Sequence, residues 1–67
     1  MLFTISDAKR HINSALKKFG AKQKNHWNAN GSYFYRFELP SGTQLLLTTT
    51  PCFDGETIEV KWVWELN

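Results

Sequence analysis

The sequence predicts an α+β domain with one N-terminal amphipathic helix packed on a three- to four-stranded antiparallel meander sheet. Three observations carry this reading. An apolar stripe at helical spacing covers residues 6–19, the apolar period changes to two after Gly20, and clusters of Asn, Gly and Pro cut the remainder into strand-sized pieces.

In the helix, Ala8, Ile12, Ala15, Leu16 and Phe19 fall at i, i+4, i+7, i+8 and i+11, one face of a 3.6-residue period, and Ile5 extends the stripe by a turn. Thr4 or Ser6 can accept orphan backbone N–H bonds at the amino end, where Asp7 meets the positive end of the dipole. Lys17 and Lys18 suit the carboxyl end, and Gly20 supplies the left-handed residue that stops the helix. The opposite face holds Lys9, Arg10, Asn13 and Lys17.

Four strands are expected, at about 21–28, 32–39, 43–50 and 56–66. Asn28-Ala29-Asn30-Gly31 reads as the first turn, Pro40-Ser41-Gly42 as the second and Pro51-Cys52-Phe53-Asp54-Gly55 as the third. Loops this short make successive strands antiparallel neighbours, so sheet order should follow sequence order. The face under the helix is expected to hold Trp27, Tyr33, Tyr35, Phe37, Leu39, Leu45, Leu47, Ile58, Val60, Trp62, Trp64 and Leu66. The other face is expected to show Lys22, Lys24, His26, Phe34, Arg36, Glu38, Leu46, Thr48, Thr50, Glu59, Lys61, Val63 and Glu65.

A 67-residue chain has room for one core, and residues 1–67 read as one domain. Cys52 is alone, so no intrachain disulfide supports it; the 15% of Phe, Tyr and Trp, or a homodimer interface, must supply the area. No apolar run exceeds three residues, too short for a membrane span or a signal-peptide core, and the expectation is a cytoplasmic chain with no membrane partner. Charge is segregated. Residues 1–36 carry Lys9, Arg10, Lys17, Lys18, Lys22, Lys24 and Arg36 against Asp7, a net of +6; residues 37–67 carry Lys61 against Glu38, Asp54, Glu56, Glu59 and Glu65, a net of −4.

Catalysis and metal binding find little support. His11, His26, Cys52 and Asp54 show no spacing that holds a nucleophile against its base, and no paired-ligand motif is present, so no cofactor or metal is expected. The Asn30-Gly31-Ser32 and Ser41-Gly42-Thr43 turns lack the multi-glycine spacing of phosphate loops. A short helix followed by Gly31-Ser32 opening a strand resembles the HicA-type RNA-cleaving toxins, whose active-site histidine follows a Gly-Ser pair. Here Tyr33 stands in that place and a second, carboxyl-terminal helix is absent, so the resemblance transfers no residue.

Trp62 and Trp64 share a face with Ile58, Val60 and Leu66, which assigns them to the core rather than to a base-stacking platform. Phe34, Leu46 and Val63 instead break the polar side of their strands, with Arg36, Lys61, Glu59 and Glu65 as a charged rim. This points to a small non-enzymatic protein-binding module, of the kind found among phage and mobile-element inhibitors and accessory proteins, with a protein partner or a second copy on the open face. The alternative is nucleic-acid binding through Lys9, Arg10, Lys17, Lys18, Lys22 and Lys24.

Overall fold

The chain enters the sheet through a strand too short to announce itself in the sequence. In the computed structural model, which describes residues 1–65, β1 (Leu2–Thr4) leads directly into α1 (Ile5–Phe19), followed by β2 (Lys22–Ala29), β3 (Ser32–Glu38), β4 (Gln44–Pro51) and β5 (Thr57–Glu65). These strands form one antiparallel sheet in the order β1-β5-β4-β3-β2. The last four make the expected meander. The fifth strand, β1, corrects the expected count of three to four: it pairs along β5 with Phe3 opposite Ile58. Three residues give a period of two nothing to repeat on, and Ile5 had continued the helical stripe.

Thr4 is the helix cap. It sits in the extended region at φ −67°, ψ 160°, and its Oγ1 accepts the Asp7 backbone N–H at 3.2 Å. Gly20, at φ 65°, ends the helix in the left-handed region, and the Ala21 N–H donates to the Leu16 carbonyl at 3.1 Å. Because β1 and β2 are the two edges of the sheet, the helix joining them must cross the covered face from one edge to the other.

Beneath it lies a small core of Ala8, Phe37, Leu45, Leu47 and Val60, joined by the buried Thr49 and flanked by Phe3, Ile12, Leu16, Tyr35, Ile58 and Trp62. Leu39 packs against the same cluster from beyond the end of β3, where its N–H donates to the Thr43 carbonyl at 2.9 Å. A helix about 10 Å across cannot roof five strands spaced about 4.8 Å apart. Two open grooves flank it, one of about 430 Å³ beside Trp62 and Trp64 and one of about 360 Å³ beside Tyr35 and Thr49. The margins stay wet, so that Trp64 is 51% exposed and Tyr33 46%. Trp64 therefore departs from the expected core position: it lies on the helix side at the margin of the sheet, where Phe19 meets it edge-on at 5.6 Å. Leu66, the last residue assigned to the core, lies outside the described residues.

The second correction concerns β2. The turn between β2 and β3 is Asn30-Gly31 alone, with both residues at positive φ (53° and 79°), the geometry of a two-residue hairpin. Pairing then runs Ala29 with Ser32, Asn28 with Tyr33, Trp27 with Phe34 and His26 with Tyr35 until the register slips between Gln23 and Asn25. The extra residue is Lys24. Such a bulge reverses which side chains face which side, so the expected places of Trp27 and His26 are exchanged. His26 shares the helix side with Tyr35, the rings stacked at 6.1 Å, and Trp27 joins Phe34 on the open side.

Candidate protein-docking surface

The strand registers set out the open face as rows across the sheet, since directly paired residues point the same way. One row reads Lys22, Glu38, Gln44, Glu65; the next Asn25, Arg36, Leu46, Val63; the third Trp27, Phe34, Thr48, Lys61; the fourth Ala29, Ser32, Thr50, Glu59, ending at Leu2 on β1. Phe34, Arg36, Leu46, Glu59, Lys61, Val63 and Glu65, the candidate contact residues, thus all lie on this face. Leu46 and Val63 are direct cross-strand partners, and Phe34 is diagonal to Leu46.

The residue that the sequence reading missed organises the centre. Trp27 stacks on Phe34 with ring centroids 5.4 Å apart and planes 7° from parallel, and the Arg36 guanidinium lies 5.1 Å above the indole. Arg36 is held in place from the other side by Glu65, through Nε to Oε1 at 3.0 Å and a second N–H to Oε2 at 3.4 Å. Carboxylate, guanidinium, indole and phenyl therefore form one chain of contacts across β5, β3 and β2. Two rigid rings and a pinned Arg lose little freedom when something lands on them, which is the property of residues that dominate protein interfaces. The row beyond is tied by Lys24 to Glu38 at 3.5 Å and by Gln44 Nε2 donating to Glu38 at 3.3 Å.

The signal for Trp27 was present in the chain. An Asn-Gly pair between alternating segments marks a two-residue hairpin, and counting back from Asn30-Gly31 sets Trp27 opposite Phe34. Reading the turn as four residues, 28–31, lost that count.

The six cations of the alternative reading are not brought together. Lys9, Arg10, Lys17 and Lys18 are on the exposed side of α1, with Arg10 engaged by Asp7, whereas Lys22 and Lys24 belong to the opposite side of the sheet. On the open face Lys22, Lys24, Arg36 and Lys61 meet Glu38, Glu59 and Glu65, so the surface is close to neutral and a phosphate backbone finds no cationic track there.

The groups that suggested chemistry are each engaged in local structure. His11, half-buried, stacks on Phe3 at 4.7 Å, and its Nε2 accepts the Trp62 indole N–H at 3.0 Å. Asp54 closes the β4–β5 loop: its carboxylate accepts the backbone N–H of Glu56 at 2.9 Å and of Thr57 at 3.0 Å, together with the Thr57 hydroxyl. Those bonds, with the one from Glu56 foremost, hold its pKa below the ordinary value of 3.8. The half-buried Cys52 uses its backbone N–H on the Thr57 carbonyl at 3.0 Å. Among the described residues no three His, Cys, Asp or Glu side chains converge as metal ligands, and no helix is long and apolar enough to cross a membrane.

No family model, no curated protein and no solved structure matches this chain.

Proposed function

We propose that this chain is a small non-enzymatic protein-binding module, acting as an inhibitor or accessory of a larger protein assembly, and that it docks through the sheet face away from the helix. The observation that carries the reading is the Trp27–Phe34 stack capped by Arg36 and continued by Leu46 and Val63. An apolar, aromatic centre with a balanced charged rim has the composition of a protein interface core. Nucleic-acid binding is the weaker reading, because its cations are divided between the two sides of the sheet.

The experiment is site-specific photo-crosslinking in the native cell, with benzoylphenylalanine at Phe34 and, as the comparison, at Asn13 on the exposed helix face. A discrete polypeptide adduct formed from position 34 and not from position 13 supports the reading. Adducts from position 13 alone, or crosslinks to nucleic acid, contradict it.

A further inference from the structure

We infer that the polypeptide fitting this face is a second copy of the chain, the two sheets stacked about a two-fold axis that runs along the strands between β3 and β4. The inference rests on the reading of the open face as a protein-binding surface and goes on to name the occupant. Such an axis reverses each row onto itself, laying β2 of one copy over β5 of the other and β3 over β4.

The first row then brings Lys22 over Glu65 and Glu38 over Gln44, each twice by symmetry. The third brings Lys61 over Trp27, whose indole carries the Arg36 guanidinium and the Phe34 ring, and Phe34 over Thr48. In the second, Arg36 covers Leu46. No like charges oppose one another in any row. Self-complementarity is the condition a two-fold interface must meet, since one patch has to serve as both partners. The other face-to-face two-fold, across the strands, exchanges the first row with the fourth and sets Glu65 over Glu59, which like-charge repulsion disfavours. The charge order of the rows therefore selects one axis.

Area sets the strength. Four strands about 4.8 Å apart and four rows about 7 Å apart give roughly 500 Å² per copy, or about 1,000 Å² in the pair, which is the threshold of a specific interface. The dimer is thus weak and concentration-dependent, and a partner that offers a larger matching surface displaces the second copy.

The test uses the whole chain, purified alone. Light scattering after size exclusion, from micromolar to millimolar concentration, should give a mass rising from 7.8 kDa toward twice that value. In a mixture of isotope-labelled and unlabelled chains, filtered nuclear Overhauser spectra should connect the Trp27 ring with the Lys61 side chain. Within one copy these two are three strands, about 14 Å, apart and show no such effect. Phe34→Asp and Trp27→Glu should each hold the mass at 7.8 kDa with a cooperative melting curve retained. A monomer at every concentration overturns the second copy, yet leaves the docking face standing, because crosslinking from position 34 decides that separately. A dimer whose intermolecular effects arise from the helix or the β2 edge, or one that survives both variants, overturns the inference as well.

Discussion

At Trp62 the indole N–H is satisfied by the His11 Nε2 lone pair, a bond that places the ring proton of His11 on Nδ1. His11→Ala removes that acceptor and the stack on Phe3, and should lower stability by about 1–2 kcal/mol in urea unfolding. The Trp62 contribution to the fluorescence should shift at the same time. Asp54 carries a prediction about acid. Its folded pKa lies below the ordinary 3.8, so the stabilisation is complete above that value and is lost as the pH falls through the lower, folded one. Melting temperatures measured between pH 5 and pH 2 should therefore fall less steeply for Asp54→Asn than for the native chain. Phe34→Asp, by contrast, should leave the chain folded, because its side chain lies on the side of the sheet away from Leu45 and Leu47. Single residues were only partly legible in the sequence. The open position of Phe34, Leu46 and Val63 followed from alternation alone, whereas the use of His11 depended on a neighbour 51 residues away.

Among the elements, α1 was legible because each of its signals acts locally: the cap at Thr4, the stripe through Ala8 and Leu16, the stop at Gly20. β3, β4 and β5 were legible for the same reason, since each alternates against a buried face. β2 was not. All eight of its residues are exposed, and Lys22-Gln23-Lys24-Asn25 offers no apolar residue from which the side could be read, so the bulge at Lys24 left no trace in the pattern. What fixes Trp27 on the open side is the turn at Asn30-Gly31. Two predictions separate turn from bulge. Deleting Lys24 should leave the pairs Trp27 with Phe34 and Gln23 with Phe37 in place, as read from cross-strand nuclear Overhauser effects, because it removes only the extra residue. Gly31→Ala meets no atom within 4 Å, yet its φ of 79° makes a side chain costly, so chemical unfolding should show a loss of about 1–2 kcal/mol.

At the scale of the molecule, one helix covers five strands among the described residues, and the large side chains fully buried there are Leu45 and Leu47. Leu47→Ala should cost about 2–5 kcal/mol, comparable with the whole stability of so small a core, and leave the chain largely unfolded at 25 °C by circular dichroism. The fold class was readable from the sequence because one helix and a two-residue period admit few arrangements; the proposed docking surface was readable in outline but lacked its central ring, because the two-residue turn at Asn30-Gly31, and not the four-residue turn expected at 28–31, sets Trp27 opposite Phe34. The charge segregation along the chain is not kept in space: the cations of α1 lie on the helix side, whereas Lys24 and Arg36 of the basic half pair with Glu38 and Glu65 of the acidic half on the open face. The most direct test of the account compares two variants in affinity capture from the native cell, at matched folding and in the presence of nuclease: Phe34→Asp on the open face, and Lys9→Glu with Lys17→Glu on the helix. The account predicts that the retained polypeptide is lost with Phe34→Asp and kept with the helix variant; retention by Phe34→Asp and loss with the helix variant would contradict it.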